Sequence, residues 1–369
     1  MKAHRQPSGG RAVRPSAFTL VELLVSTAVL SVLLLVTMTA LETMQRSWRE
    51  TKSKVNQFRG ARIAFEAITR NLSQATLNPY WDYYYATTGS NIPPPGGAAA
   101  PEGYVRQSEL DFRIVYGTDL GTSGAAAEFP GHGLFFQAPL GLSQSYRGMG
   151  NLLNARGYFV RFHSDKDNRP PFLDGQPVPV KYRYQLMEYR PPAESVSNGI
   201  QGNTVYTKPQ WYKQDIGAVS RPLADNILLF LVSPQVSPET AEQSKEKPTY
   251  IAPRYRYSSR YVKNGATPQE KPSVKSDGTL SQGTQHLLPP LVKVTMVAGE
   301  EGSVGRWLAA HDNNPVDICD AAGAPFELAD KYATDLEALK EYLAGERVNF
   351  RIFTATVAIR NAVWDSSTY

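Results

Sequence analysis

The chain has 369 residues, which is enough for one large domain or two small ones. Its formal charge is +5, but four basic residues lie in the first 17 positions, which contain no acid: Lys2, Arg5, Arg11 and Arg14. Without this segment the charge is 5 − 4 = +1, which gives no electrostatic case for a nucleic-acid partner.

An apolar run follows the basic N-terminus and extends from Phe18 to Leu41. Its 24 residues would form about 36 Å of helix, which is enough to span a bilayer. The run is longer than the core of a signal peptide, and no Ala-x-Ala site follows it. We therefore predict a transmembrane helix with a cytoplasmic N-terminus and the later residues on the periplasmic side of the inner membrane. A plain signal anchor is the alternative.

One carboxylate, that of Glu22, lies inside the apolar run. A charge at the centre of a membrane helix costs roughly 2.5–3.5 kcal/mol and less near the interface, so an unpaired one needs an explanation. Cleavage between Ala17 and Phe18 would free an α-amino group four residues before Glu22. A cation at that place can neutralise the carboxylate.

The octet FTLVELLV, from Phe18 to Val25, resembles the N-terminal signature of type IV prepilins and of type II secretion pseudopilins. In those families a prepilin peptidase cuts before a Phe, which is then N-methylated, and a Glu occupies the fifth mature position. The resemblance covers residues 14–41 and implies cleavage between Ala17 and Phe18, methylation of Phe18, and intersubunit charge pairing by Glu22. The family usually has Gly before the cut, so with Ala17 we expect slower cleavage.

The sequence predicts that the helix continues as an amphipathic extension over residues 42–77. Apolar residues recur along one stripe: Val55, Phe58, Phe65, Ile68 and Leu72. Asn78-Pro79 ends the helix. A coiled-coil seam is the alternative, but the stripe is short and irregular, so we expect it to pack on a sheet.

Residues 78–369 predict a periplasmic, β-rich domain with loop insertions at about 80–103 and 234–290. The first insertion begins with the aromatic cluster YWDYYY at 80–85. We expect this cluster to pack beneath the loop or against a neighbouring subunit. A sugar-stacking or base-stacking site is the alternative, but no basic groove accompanies the cluster. The second insertion carries several Pro, Lys, Ser and Gln residues, and we expect a mobile excursion there.

Short aromatic or β-branched runs predict strands at 109–116, 133–138, 157–163, 178–186, 227–232, 291–297 and 348–363. The run 227–232 is continuously apolar, which predicts a strand covered on both faces. Leu336, Leu339 and Leu343 mark a short helix that ends at Gly345. These elements predict an α+β, pilin-like fold in which a long N-terminal helix packs on a mainly antiparallel β-sheet domain.

The later segments resemble the C-terminal part of J-type minor pseudopilins. The proline-led strand at 288–297, a helix, and the final strand at 349–364 with Arg360-Asn361 follow that plan. As a whole the chain is similar to the prepilin-like group called Verru_Chthon cassette protein C. That resemblance implies membership of a group and no established mechanism.

Catalytic motifs are absent from the sequence, which has no G-x-S-x-G elbow and no phosphate-binding loop. His132, His163, His286 and His311 are scattered and have no metal-ligand spacing. The weak calcium candidate is the loop of Asp165, Asp167 and Asn168, although a solvated turn is the simpler interpretation. Cys319 is the only cysteine and cannot form an intrachain disulfide. We therefore expect neither enzymatic activity nor a cofactor.

Two hypotheses about function follow. In the first, the protein is a structural subunit whose partners are prepilin peptidase, other pilin-like subunits and the inner membrane. In the second, the helix is only an anchor, and the 78–369 region binds a glycan or an exported substrate.

Overall fold

The computed structural model describes residues 19–96, 99–121, 126–143, 148–173, 176–178, 180–193, 210–213, 215–244, 247–262, 271–274 and 280–364, without the side chains of 49–50, 52–57, 167–168 and 274. The chain forms two compact units, of which the first ends at Asn56 and the second begins at Gln57.

The helix α1 (Leu20–Leu72) begins after Thr19 and extends from the first unit into the second. Within the part of the chain that the structure describes, its segment Leu20–Trp48 is the one helix long and apolar enough to cross a membrane, and none of it is buried. The predicted N-terminal apolar helix is therefore present.

In the ranges that the structure describes, the other α-helices are shorter than α1 and follow β6: α2 (Ile216–Val219), α3 (Pro238–Gln243), α4 (Glu301–Ala310), α5 (Ile318–Ala321) and α6 (Tyr332–Gly345). The helix α6 confirms the one predicted from its leucines, of which Leu339 and Leu343 are buried. The helix α4 was not predicted, and it buries Val304, Trp307 and Leu308.

The strands in the described ranges are β1 (Tyr80–Tyr84), β2 (Gly103–Gln107), β3 (Arg113–Tyr116), β4 (His132–Pro139), β5 (Leu153–Ser164), β6 (Tyr182–Tyr189), β7 (Ser220–Asp225), β8 (Ile227–Gln235), β9 (Tyr257–Ser258), β10 (Ser273–Val274), β11 (Leu280–Ser281), β12 (Leu291–Gly299) and β13 (Phe350–Ala358). They form a six-stranded sheet in the order β7-β6-β5-β4-β3-β9, a three-stranded sheet in the order β13-β12-β8, and the ribbons β1-β2 and β10-β11. Each of these strand pairs is antiparallel, which confirms the predicted α+β fold class.

The two larger sheets meet at a parallel bridge between Gly131 and Phe230. Gly131 has φ = +83°, and a Cβ atom there would lie 2.3 Å from the Phe230 carbonyl oxygen. Only glycine satisfies both conditions, so this residue lets the chain entering β4 touch β8. As predicted, β8 is covered on both faces, and its residues from Ile227 to Val232 are almost completely buried.

The six-stranded sheet has an apolar core on each face. Leu134 and Phe136 of β4 contribute to the larger core, whereas Phe135 between them contributes to the smaller one. This alternation follows from the two-residue period of a strand. The larger core also contains β8, β12 and the C-terminal part of α1, and the smaller one contains Trp211 and Tyr212.

The predicted stripe of α1 faces the larger core. Phe65, Ile68 and Leu72 are buried there, and the Phe65 ring lies 5.9 Å from that of Phe353 on β13. Phe58 is partly buried against the same core, and the side chain of Val55 lies outside the described residues. This half of the helix therefore packs on a sheet, as expected.

The last residues of the described chain hold the end of α1. The Arg360 N–H donates to the Ser73 carbonyl oxygen at 3.2 Å, and the Asn361 side-chain amide donates to the Ala75 carbonyl oxygen at 3.1 Å. The last carbonyl groups of a helix have no hydrogen-bond donor within the helix, and the carbonyl groups just beyond its end also need donors. Arg360-Asn361 supplies two of them.

Three predictions of local structure need correction. The strand predicted at 178–186 begins only at Tyr182, because Pro177 and Pro179 lack the N–H groups that a ladder needs. The strand predicted at 109–116 begins at Arg113, since side chains take the preceding N–H groups: Gln137 Oε1 accepts from Asp111, and Ser259 Oγ accepts from Phe112.

The third correction concerns the excursion expected at 234–290. Over 247–262 the chain packs into the domain, where Tyr255 and Tyr257 are almost completely buried and β9 pairs with β3. The aromatic residues of this segment supply apolar area that Pro, Lys and Ser do not, and its burial offsets the cost of ordering the chain.

Candidate functional site

The N-terminal helix starts with a polar cap. Thr19 precedes the first helical residue, and its Oγ1 accepts a hydrogen bond from the Glu22 N–H at 3.4 Å. Its carbonyl oxygen accepts from Glu22 and Leu23 at 3.1 and 3.2 Å. The spacing Thr-x-x-Glu is that of a capping box, a sequence signal that marks the start of this helix. Glu22 therefore lies in the first turn, where the helix dipole favours a negative charge.

The hydroxyl groups inside the apolar segment are satisfied by the helix itself. Five residues donate to backbone carbonyl groups three or four positions earlier, at 2.7–3.0 Å: Ser26, Thr27, Ser31, Thr37 and Thr39. In a membrane, an unsatisfied polar group costs several kcal/mol. These hydroxyl groups therefore need no partner outside the helix, and they add little to the free energy needed to place the apolar segment in lipid.

Glu22 differs from these hydroxyl residues. Its side chain is exposed, and among the residues described in this structure no cation pairs with its carboxylate. Ala17 and Phe18, the predicted cleavage and methylation residues, lie outside the described range. The arrangement thus presents one carboxylate at the start of a long apolar helix, available to a cation from the same N-terminus or from another molecule.

The first five residues of the aromatic cluster at 80–85 form β1, where Tyr80, Trp81 and Tyr83 are exposed instead of packed beneath a loop. Their packing against a neighbouring subunit stays a prediction. Side chains alternate between the two faces of a ribbon, and the register places Trp81, Tyr83 and Tyr104 on one of them. Their residues are 68%, 47% and 63% exposed, and the rings of Tyr83 and Tyr104 lie 5.1 Å apart. On the other face, Tyr84 and Val105 are buried. We call the exposed side the aromatic face.

The structure gives no support to calcium at the Asp165 loop. The Asp165 carboxylate accepts from the Arg169 guanidinium at 3.0 Å and from the Lys181 N–H at 3.0 Å. Partial burial would raise the pKa of Asp165, but these hydrogen bonds outweigh it and lower that pKa. The cation already beside this carboxylate is an arginine. The side chains of Asp167 and Asn168 lie outside the described set.

A buried polar cluster contains the residue types of a catalytic triad, but a substrate has no access to it. Asp111 Oδ1 accepts from Ser259 Oγ at 3.2 Å, and Arg113 donates to Oδ2. His286 joins this region through its backbone N–H, which donates to the Ser259 carbonyl oxygen, and not through its imidazole ring. Ser259 is completely buried, so no substrate reaches its hydroxyl. The cluster ties 111–113 to 259 and 286 and is structural.

Comparisons with known proteins identify the N-terminal segment. Residues 14–38 match the family described as the prokaryotic N-terminal methylation motif. No curated protein and no solved structure matches the chain. The motif supports a prepilin-like protein and implies processing by prepilin peptidase and assembly with pilin-like subunits. Together with the apolar helix of α1, it fits a single-pass anchor in the inner membrane.

Proposed function

We propose that this protein is a minor pseudopilin-type subunit of a type IV pilus-like or type II secretion-like filament. A prepilin peptidase cleaves between Ala17 and Phe18, Phe18 is N-methylated, and the protein assembles with other pilin-like subunits. The observation that supports this proposal is the methylation motif at 14–38, placed on an apolar helix whose described start carries a single charge, Glu22.

The proposed mechanism is assembly rather than turnover. The membrane stores the uncleaved subunit, with its N-terminus in the cytoplasm and its β-rich domain in the periplasm. After cleavage, the Glu22 carboxylate of an incoming subunit pairs with the Phe18 amine of its neighbour. In a helix bundle an unpaired carboxylate is costly, so this pairing selects the register in which the helices pack.

The first test is the intact mass and N-terminal sequence of the membrane-extracted protein, with and without a co-expressed prepilin peptidase. We expect the peptidase to remove residues 1–17 and to leave a chain that begins with N-methylated Phe18. A chain that keeps Met1 beside an active peptidase would refute the processing step and favour a membrane-anchored protein.

The second test separates assembly from folding. Glu22→Ala should be cleaved and should fold, yet it should enter filaments at least about tenfold less than the wild type, since the loss of one buried pair costs more than 1.4 kcal/mol. Glu42→Ala is the matched control, because Glu42 is the next acidic residue of α1 and is also exposed. Normal incorporation of Glu22→Ala, measured by shear fractionation, would exclude the pairing.

The aromatic face favours a second candidate function, a membrane-anchored module that binds a glycan. Exposed rings on one flat ribbon provide surfaces on which the apolar faces of sugar rings can stack. The test is co-sedimentation of the whole chain, in lipid nanodiscs, with insoluble polysaccharides. Binding that Trp81→Ala abolishes while filaments form normally would add this function, and binding without any filament would replace the first proposal.

A further inference from the structure

We propose that a cavity beside the six-stranded sheet binds a peptide segment by accepting one large apolar side chain. The cavity has a volume of about 360 Å³ and lies between β5, β6, α2 and the segment that leads into β4. We call it the β5-α2 cavity. It belongs to the second unit, so the inference is independent of the helix and of filament assembly.

Apolar side chains form part of the lining of the β5-α2 cavity. Phe159 of β5 and Met187 of β6 are register partners and are nearly buried, and the Phe129 ring lies 6.0 Å from that of Phe159. Ile216 of α2 adds an aliphatic wall. The volume lies at the lower end of the range of about 300–1,000 Å³ for ligand pockets, which suits one large side chain and its adjoining backbone.

The rim of the cavity offers both a donor and an acceptor. Arg161 Nε donates to Glu128 Oε1 at 3.0 Å, and the two side chains are 35% and 40% exposed. The Arg161 guanidinium also lies 5.6 Å from the centre of the Phe129 ring. This ion pair engages only the Nε donor of Arg161 and leaves other donors and carboxylate lone pairs for a ligand.

The rim chemistry favours an amide over a charged ligand. A peptide group offers an N–H donor to Glu128 and a C=O acceptor to Arg161 at the same time. A free carboxylate or ammonium would attract one of these two residues and repel the other. The occupant that matches the apolar lining and the rim together is therefore a peptide with a large apolar side chain.

Ser220 supplies an independent observation at the same cavity. It lines the cavity from β7, its residue is 5% exposed, and its buried hydroxyl has no hydrogen-bond partner in the described structure. A buried polar group without a partner is uncommon in native proteins. Rotation of the Ser220 side chain about its Cα–Cβ bond toward the cavity would give this hydroxyl a partner on a ligand.

The test uses the whole chain in lipid nanodiscs with ¹³C-methyl methionine, and N-acetyl-phenylalanine amide as the probe. Of the six methionines, Met187 lines the cavity, and Met296 is buried in the other core. We expect the Met187 methyl signal, assigned through Met187→Leu, to shift with a Kd on the order of 1 mM, while Met296 does not move. N-acetylglycine amide, which lacks the apolar side chain, should leave both unchanged.

Two variants make the test specific. A Cβ atom on Gly217 would meet no atom within 4 Å, so Gly217→Leu should fold and should weaken probe binding at least about tenfold by occupying the cavity. Gly305→Leu is the matched control, because it also adds a side chain in open space, but on α4. Ser220→Ala should weaken binding severalfold without lowering the thermal stability, since it removes an unsatisfied hydroxyl.

Three results would overturn the proposal. The first is unchanged affinity in Gly217→Leu, and the second is an equal Met187 shift with N-acetylglycine amide. The third is a larger shift with N-acetylglucosamine, which would assign the cavity to a saccharide instead of a peptide.

Discussion

Replacing Ile68 by Ala should destabilise the domain far more than the same change at Ile63, five residues earlier on α1. Ile68 is completely buried in the larger core, whereas Ile63 is 58% exposed. Each substitution removes three carbon atoms from the same type of side chain on the same helix. The pair therefore isolates the contribution of burial.

The expected sizes follow from these exposures. Three fully buried carbon atoms contribute about 0.8 kcal/mol each, or about 2.4 kcal/mol for Ile68, and the cavity adds to this cost. At Ile63 less than half of that area is buried, which corresponds to about 1 kcal/mol. Ala is the better helix former by a few tenths of a kcal/mol at both positions. The difference in unfolding free energy between the two variants should be about 2 kcal/mol.

The assay is urea unfolding of the whole chain in nanodiscs, followed by tryptophan fluorescence, because Trp211 and Trp307 are buried in the domain. Ile68→Ala should lower the midpoint at an unchanged slope. Equal midpoints for Ile68→Ala and Ile63→Ala would refute the conclusion that this stripe of α1 stabilises the domain.

Three further predictions concern pH, a buried charge and processing. Burial lowers the pKa of His132 and of His286 to about 4, so below the unfolded pKa of about 6.5 the unfolded chain binds more protons than the folded one. The folded state should therefore be most stable above pH 6.5 and lose stability toward pH 4, with a loss of roughly 2 kcal/mol per histidine at pH 5. Equal urea midpoints at pH 5 and 7.5 would contradict this prediction. Asp111→Asn should cost about 3–5 kcal/mol, because it leaves the Arg113 guanidinium buried without its counter-ion, and a loss below about 1 kcal/mol in the same assay would argue against this role. Ala17→Gly should speed cleavage by prepilin peptidase severalfold, as followed by mass spectrometry, and an unchanged rate would show that the peptidase accepts both residues equally.

Local periodicity predicted the elements whose burial follows one simple pattern. The stripe of α1 and the continuous apolar run of β8 are examples, because each depends on which of its own residues face a core. Prediction was wrong where a local detail outweighs the pattern. Val178 and Val180 alternate like strand residues, yet the strand β6 begins only at Tyr182, and the sequence around these valines contains two prolines, which lack the N–H group that a ladder needs.

The features important for binding depend on contacts between distant residues. Trp81 and Tyr104 share one face only through the β1-β2 register, and Ser220 and Phe159 meet at one cavity although 61 positions separate them. A periodicity within one segment contains no information about such pairs. By contrast, Glu22 could be recognised from sequence, because its importance comes from the apolar residues on both sides of it.

The contact between Arg360-Asn361 and the end of α1 also sets an order of events during biosynthesis. Asn361 donates a hydrogen bond to Ala75, which lies 286 residues earlier in the chain. The ring contact between Phe65 and Phe353 likewise forms only after Phe353 has been synthesised. The helix α1 is translated early, but the surface of the sheet on which it packs is complete only after the ribosome has passed position 361. A nascent chain that stalls earlier leaves the stripe of α1 uncovered, where proteases and chaperones can recognise it.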